Sequence, residues 1–279
     1  MTLIPPSLPI TVCIPVRNEE NNLPSCLASL GEDFSELVLI DSESSDRTLE
    51  IAQDAGMTVL DFKWDGKYPK KRNWALRAHA FTTPWVLFLD ADERVTPAFI
   101  EELRTMLPTT SHTGFWISFD NWFMRRPLRH GDTFHKLALF RVGAGEYERF
   151  PEDHWSHLDM EVHEHPVLDG TTGEIHSRLE HHDYRGLKHY IDKHNEYSTW
   201  EANRYHWLKG AGEEEWARLN SRQKFKYRNL PKWWLGPLYF LLSYVAKKGF
   251  LDGSAGWTFA RLKMRYFDEI RLKILEMEE

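Results

Sequence analysis

The chain has 279 residues, 42% of them hydrophobic and 28% charged, so it can bury the core of one large domain or of one domain with an appendage. Its formal net charge of −7 argues against a general nucleic-acid binder, and we expect no nucleic acid among its partners. The two cysteines, Cys13 and Cys26, are too few for a disulfide framework and lie in apolar segments. They are therefore predicted to be small core residues of a cytoplasmic protein.

The first half of the chain alternates short apolar runs with helical patterns. Strands are predicted at 9–16, 37–41, 57–62 and 85–90, and helices between them at 21–30, 47–55 and 70–80. Gly31 and Gly56 follow the first two helices as expected C-caps. Continuous apolar strands separated by helices predict a Rossmann-like α/β fold, with a doubly wound, mainly parallel sheet covered on both faces.

The pattern changes after a helix predicted at 97–106. Strands are expected at 114–123 and 134–142, an irregular, histidine-rich segment at 152–183, and a helix at 187–209. Further helices follow, separated at Pro231, at 236–237 and at 249–256. The predicted domains are a catalytic domain at 1–185, made of a nucleotide-binding half (1–110) and an acceptor and catalytic half (111–185), and a helical C-terminal region at 186–279.

Two carboxylates, Asp90 and Asp92, follow the fourth predicted strand one residue apart. At the carboxyl edge of an open α/β sheet, a pair of hard oxygen ligands suits Mg²⁺ or Mn²⁺ together with a phosphate-bearing substrate. The alternative is that both aspartates only solvate the strand end and cap the helix that begins near Pro97.

Four other phosphate chemistries fit the sequence less well. A P-loop ATPase needs a Gly-Lys-Ser/Thr loop, and a dinucleotide-binding enzyme needs Gly-x-Gly-x-x-Gly after the first strand, where this chain has a polar, glycine-free segment at 15–20. A haloacid-dehalogenase-like phosphatase carries its nucleophilic aspartate after the first strand and not the fourth. A nucleotidyltransferase that makes sugar nucleotides also predicts a glycine-rich N-terminal loop, which the sequence lacks.

Four motifs in register carry a family resemblance. They lie at 12–20, 39–48, 71–76 and 89–93. In order and spacing they resemble the family-two glycosyltransferases, which have a GT-A fold, over about the first 110 residues. The segments at 136–141 and 162–165 extend the resemblance to a subgroup similar to bacterial lipopolysaccharide-core β-1,4-glucosyltransferases.

The resemblance implies a nucleotide-sugar site at the ends of the first strands. The expected donor contacts are Pro15, Arg17, Asn18, Glu19, Asp41, Ser42, Lys71, Arg72 and Asp90. Many relatives have a second aspartate where this chain has Ser42, and UDP remains the expected nucleotide. The alternatives are that Glu19 complements the dipole of the first helix and that Lys71 belongs to a solvated basic face.

The same resemblance implies a metal site and a catalytic base. Asp92 and Asp90 are the expected ligands of Mn²⁺ or Mg²⁺, and His182 is a third candidate ligand, although a structural, hydrogen-bonded role is the alternative for each histidine of this region. An inverting transfer needs a base that takes the proton of the acceptor hydroxyl. The base is expected among Asp159, Glu161 and Glu164, and Glu164 is preferred because it lies in the Val-His-Glu motif.

The C-terminal part combines cations with aromatic residues. Between 221 and 265 there are ten lysines and arginines and one acid, a local net charge of +9. This composition predicts an interfacial surface for the inner face of an anionic membrane, whereas the alternative is that Leu238, Leu241, Leu242 and Val245 form a packed helical stripe. The longest apolar run, 233–246, is too short to span a bilayer, and prolines near the N-terminus argue against a secretory signal.

The leading functional hypothesis is a metal-dependent, inverting hexosyltransferase. It would transfer a hexose, expected to be glucose, from a UDP-sugar to a lipopolysaccharide-core or other lipid-linked glycan, as a cytoplasmic protein peripheral to the inner membrane. The alternative from another class is a catalytically silent glycan-binding or membrane scaffold protein.

Overall fold

A computed structural model describes residues 6–149, 156, 158–161 and 164–279. The strands are β1 (Leu8–Val16), β2 (Phe34–Asp41), β3 (Thr58–Asp61), β4 (Trp85–Phe88), β5 (Glu93–Arg94), β6 (Gly114–Phe123), β7 (Arg126–Leu128), β8 (Phe134–Arg141), β9 (Gly145–Tyr147), β10 (Pro166–Leu168), β11 (Thr172–Glu174) and β12 (Leu179–His181). The helices are α1 (Leu23–Leu30), α2 (Thr48–Asp54), α3 (Lys71–Ala78), α4 (Pro97–Met106), α5 (Leu187–Gly210), α6 (Glu213–Arg218), α7 (Ser221–Asn229), α8 (Leu235–Phe240) and α9 (Gly253–Glu278). A π-helical segment, Leu241–Ala246, and a 3-10 turn, Gly249–Asp252, connect α8 to α9.

The main sheet has the strand order β3-β2-β1-β4-β8-β6-β12-β5. β1 is parallel to β2 and to β4, and β2 is parallel to β3. β8 then runs antiparallel to β4, and β6 antiparallel to β8. The predicted α/β class is confirmed, and the four parallel strands bring their carboxyl ends, and the loops that follow them, to one edge.

Burial on both faces explains the continuous apolar strands. Ile14 of β1 and Leu87 of β4 belong to one buried cluster, and Val38 of β2 and Phe88 of β4 belong to another. Cys13 and Cys26 are buried free thiols, as predicted for small core residues. Burial raises the pKa of both thiols, so neither is prepared for thiolate chemistry.

A side chain caps the N-terminus of α4, and one helix break predicted near the C-terminus is absent. The hydroxyl of Thr96 accepts a hydrogen bond from the Phe99 N–H at 3.3 Å, so the N-cap of α4 is Thr96 and not Asp90 or Asp92. The helix break predicted at 236–237 does not occur, because Pro237 lies in the first turn of α8, where its missing N–H has no intrahelical partner to lose.

The described residues form two compact units. The first comprises the described residues of 6–120 and 134–182, and the second comprises Asn121–Thr133 and Asp183–Glu279. Tyr227, Leu235 and Ile270 are among the buried residues of the second unit's own core. In the part of the chain that is described, no helix has both the length and the apolar composition that a membrane span requires. The predicted boundaries after residues 110 and 185 stay predictions.

Candidate active site

Side chains fix the loop that follows β1. Asn18 has a φ of 57°, which asparagine tolerates better than most residues. Its N–H donates to the Ser44 Oγ at 2.9 Å, and its Oδ1 accepts from the Ser45 N–H at 2.8 Å. The Glu19 N–H donates to the Thr48 Oγ1 at 2.8 Å. The loops after β1 and β2 are therefore joined by polar contacts, which replace the glycine-rich backbone of a Rossmann loop.

The carboxylate of Asp41 lies buried at the end of β2. Its Oδ2 accepts a hydrogen bond from the Ser44 N–H at 3.0 Å, while its Oδ1 is buried without a hydrogen-bond partner among the described residues. Ser42 is buried beside it. Because an unsatisfied buried oxygen is costly, Asp41 is suited to accept a hydrogen bond from a ligand at this edge.

Two cations hold Asp90 in its ionised form. The Arg72 Nη2 lies 2.7 Å from the Asp90 Oδ1, and the Lys136 ammonium donates to the Asp90 Oδ2. Burial alone would raise the pKa of Asp90, but Lys136 and Arg72 outweigh burial and hold that pKa well below its usual range. Arg72 therefore contacts one of the two predicted ligand carboxylates.

Glu93 completes this ion cluster and was not predicted as a site residue. Its side chain is fully buried, its Oε2 accepts from the Asp90 N–H at 2.9 Å, and its Oε1 lies 2.5 Å from the Lys136 Nζ. Burial raises the pKa of Glu93 to about 8 against the opposing effect of Lys136. Lys136 also was not assigned a role, although it begins the motif at 136–141.

Asp92 lies beside a histidine of β12. The Asp92 Oδ1 is 3.6 Å from the His181 Nε2, and this oxygen is buried without a hydrogen bond in the described part of the chain. The His182 ring instead contacts the Glu180 Oε2 at 2.8 Å, while the His182 N–H donates to the Asp92 carbonyl at 2.8 Å. The imidazole at Asp92 is thus that of His181, and the ligand role of His182 stays a prediction.

The donor set fits a divalent cation. Carboxylate oxygens suit Mg²⁺ and Mn²⁺, and an added imidazole favours a transition ion over Mg²⁺. The Asp92 oxygen that lacks a hydrogen bond is the one that faces His181, so a cation bound there would satisfy it.

The three predicted base candidates all contact residues at the N-terminal end of α3, from the N-cap residue Lys70 to Asn73. Glu164 forms a buried ion pair with Lys70, the Lys70 Nζ lying 3.1 Å from the Glu164 Oε1. Asp159 pairs with Lys71, also at 3.1 Å. Burial lowers the pKa of Lys71 and opposes ionisation of Asp159, whose pKa is nevertheless lowered because Lys71 lies beside it. The motif residues Val162 and His163 lie outside the described residues.

The third candidate, Glu161, caps α3. Its Oε2 accepts from the Arg72 N–H at 2.9 Å and its Oε1 from the Asn73 N–H at 3.1 Å. Both oxygens therefore satisfy backbone donors at a helix N-terminus, where a negative charge is also favourable. This contact makes Glu161 a positioning residue for Arg72.

Replacement of Glu161 by glutamine should destabilise the protein. The glutamine side chain would keep one acceptor and point an amide N–H at a backbone N–H, so we expect a loss of about 1 to 2 kcal/mol in the free energy of unfolding. Thermal and urea denaturation measure this loss. Glu174→Gln changes an exposed acid of β11 and is the matched control, and equal stability of the two variants would contradict the capping role.

Comparison with known proteins identifies the family. A sequence model described as glycosyl transferase family 2 matches residues 11–162, more than half of the chain. The chain belongs to glycosyl transferase family 2. Together with the sheet order, membership confirms the predicted GT-A α/β fold with a helical C-terminal part.

Individual relatives of this family 2 chain differ in how much of it they share. It is 37% identical over 108 residues to a TPR repeat-containing protein of Synechococcus elongatus, and this match covers 39% of the chain and 26% of that protein. It is 28% identical over 278 residues to the lipopolysaccharide core biosynthesis glycosyltransferase LpsC of Rhizobium meliloti, and this match covers 92% of the chain and 91% of LpsC. The chain thus spans about a quarter of the first relative and nine tenths of the second.

A solved structure of glucosyl-3-phosphoglycerate synthase from Mycobacterium tuberculosis, in complex with Mn²⁺, UDP and glucosyl-3-phosphoglycerate, is a more distant match to the family 2 chain. It has a TM-score of 0.32 and 24% identity, and the match covers 40% of the chain and 43% of that protein.

Proposed function

We propose that the chain transfers a hexose, expected to be glucose, from a UDP-sugar to a lipopolysaccharide-core or other lipid-linked glycan, with inversion at the anomeric carbon. The observation that carries this proposal is the convergence of acids at one sheet edge: Asp41 has an unsatisfied buried oxygen, and Asp92 faces the His181 imidazole. Similarity to a lipopolysaccharide core biosynthesis glycosyltransferase along 92% of the chain supports the acceptor class.

We assign the nucleotide to the loops after β1 and β2. A ribose or base N–H or O–H that donated to the Asp41 Oδ1 would satisfy that buried oxygen. Pro15, Arg17, Asn18, Glu19 and Ser42 belong to the same two strand ends and remain the proposed donor contacts. Free thiols at both cysteines are compatible with the cytoplasmic site of action that we propose.

We assign Mn²⁺ or Mg²⁺ to Asp92 and Asp90, with His181 rather than His182 as the third ligand. When bound, the ion would neutralise charge that develops on the departing nucleoside diphosphate. Arg72 and Lys136 keep Asp90 anionic and fix its orientation. Lys71 remains a proposed diphosphate contact. To make this contact, the Lys71 ammonium would leave the Asp159 carboxylate and bind phosphate oxygens.

Glu164 is the proposed base. Its carboxylate would accept the proton of the acceptor hydroxyl as that oxygen attacks the anomeric carbon. Asp159, whose pKa Lys71 lowers, is the second candidate. Glu161 is the weakest of the three, since both of its oxygens already accept backbone hydrogen bonds.

The test is a panel of nucleotide sugars incubated with the purified chain, Mn²⁺ and a lipid-linked core oligosaccharide. We expect transfer from UDP-glucose with release of UDP, loss of turnover in EDTA and recovery with Mn²⁺. Stoichiometric transfer that persists in EDTA would refute the metal dependence. Absence of transfer from every UDP-hexose, under conditions where the protein is folded, would refute the donor class.

A further inference from the structure

The connection between α8 and α9, together with the first residues of α9, has its large apolar side chains outside and its small residues inside. The exposed residues, which we call the elbow face, are Leu241, Leu242, Val245, Phe250, Leu251 and Trp257, each 42–55% exposed. Ser243, Gly249, Ala255 and Gly256 are buried beneath them. In a water-soluble protein this arrangement is the reverse of the expected one, and a contiguous exposed apolar patch marks an interaction surface.

Close backbone packing lies beneath the elbow face. A Cβ atom at Gly256 would lie 2.0 Å from the Gly249 carbonyl oxygen, and one at Gly249 would lie 2.8 Å from the Ser243 carbonyl oxygen. The three short segments therefore approach more closely than larger residues would allow. The segments thus pack backbone against backbone, while the large apolar side chains lie on the outside.

Aromatic rings connect the elbow face into one patch. The Tyr244 ring lies 5.2 Å from the Trp257 ring and 6.2 Å from the Phe250 ring, and Phe240 lies 5.4 Å from both Tyr244 and Trp257. Leu241, Leu242 and Val245 are exposed beside these rings, so they do not form the packed stripe that was the alternative interpretation.

The charges around the elbow face are positive. Residues 230–265 contain six lysines and arginines and one acid, Asp252, whose buried side chain accepts hydrogen bonds from the N–H groups of Arg129 and His130. Lys248 and Arg261 are exposed and have no carboxylate partner among the described residues. Lys247 differs, because it pairs with Asp132 at 2.6 Å.

From this arrangement we propose that the elbow face binds an anionic lipid bilayer. Apolar and aromatic side chains would enter the headgroup region, and Lys248 and Arg261 would contact lipid phosphates. A second copy of the chain fits less well, since a two-fold contact through this face would bring Lys248 and Arg261 of one copy close to those of the other. The inference concerns a partner of the chain and does not depend on the identity of the donor sugar.

The test is sedimentation of the full chain with vesicles of phosphatidylcholine, with or without phosphatidylglycerol. We expect binding only when the anionic lipid is present and weaker binding at high salt. The double variant Phe250→Ser/Leu251→Ser should bind at least about tenfold more weakly, and the double variant Lys248→Gln/Arg261→Gln about fivefold more weakly for each cation removed.

Leu272→Ser is the matched control, because Leu272 is equally exposed on α9 but lies outside the elbow face. It should bind like the unchanged chain, and all variants should release UDP from a UDP-sugar in water at the same rate. Failure of the unchanged chain to bind anionic vesicles, or an equal loss for Leu272→Ser, would overturn the proposal while leaving the transfer assay intact. So would a dimer in solution that Phe250→Ser/Leu251→Ser dissociates, since the occupant would then be a second copy.

Discussion

Replacement of Asp92 by asparagine should lower kcat/KM for transfer by at least about 100-fold. Asparagine keeps the size of the side chain but removes the negative charge that faces His181, so a divalent cation at this edge would lose its anionic ligand. Steady-state rates of transfer, measured over a range of Mn²⁺ concentrations, separate weaker Mn²⁺ binding from a lower maximal rate. The Mn²⁺ concentration at half-maximal activity should rise, and saturating Mn²⁺ should restore only part of the rate.

Asp54→Asn is the control for the charge change. Asp54 is an exposed acid at the end of α2, away from the sheet edge that carries Asp92, so its neutralisation should leave both the rate and the Mn²⁺ dependence unchanged. If Asp92→Asn turned over at the rate of Asp54→Asn, the metal assignment would be wrong.

Replacement of Glu164 by glutamine should abolish transfer while donor binding persists. Removal of a general base costs about 10²- to 10⁴-fold in rate. Because Asp41, Asp90 and Asp92 are untouched, the affinity for UDP and Mn²⁺, measured by calorimetry, should stay within about twofold of the original value. The comparison variant Asp159→Asn should retain more transfer than Glu164→Gln, and the opposite order would move the base to Asp159.

Glu164 forms a buried ion pair with Lys70, so a second variant is needed to separate a catalytic role of Glu164 from a structural one. Loss of one charge of such a pair costs about 3 to 5 kcal/mol, so Glu164→Gln alone could lose activity through unfolding. The double variant Lys70→Met/Glu164→Gln removes both charges and should recover most of the stability. A base role predicts that the double variant stays inactive, whereas recovery of transfer together with stability would show that Glu164 is structural.

Much of the first half of the fold could be predicted because its strands are buried on both faces. The continuous apolar run of β1 was predicted at 9–16 and spans Leu8–Val16. The carboxyl ends of β1, β2 and β4 then meet at one edge by topology alone, and this is why Asp41, Asp90 and Asp92 could be grouped from the sequence.

The choice between His181 and His182 could not be made from the sequence. Adjacent residues of a strand point to opposite faces, so a shift of one residue in register exchanges their roles. β12 pairs with β5 such that His181 lies opposite Glu93, next to Asp92 in the chain. In this pairing the His181 Nε2 lies 3.6 Å from the Asp92 Oδ1.

Contacts between residues distant in the chain also could not be predicted from the sequence pattern. Glu161 caps α3 through Arg72, which lies 89 residues earlier in the chain, and Lys136 joins Asp90 and Glu93 from the antiparallel strand β8. For a carboxylate in an irregular segment, the neighbouring sequence does not distinguish a catalytic base from a helix cap. The base candidates could therefore be named as a set, but their partners on α3 could not.

The most direct test of the central claim is a crystal structure of the chain with Mn²⁺ and UDP, in which anomalous scattering locates the metal. We expect the Mn²⁺ peak within ligand distance of Asp92 and between Asp92 and the diphosphate, with the Asp41 Oδ1 hydrogen-bonded to the nucleoside. A diphosphate bound away from the carboxyl ends of β1, β2 and β4, or a metal peak that does not contact Asp92, would contradict it.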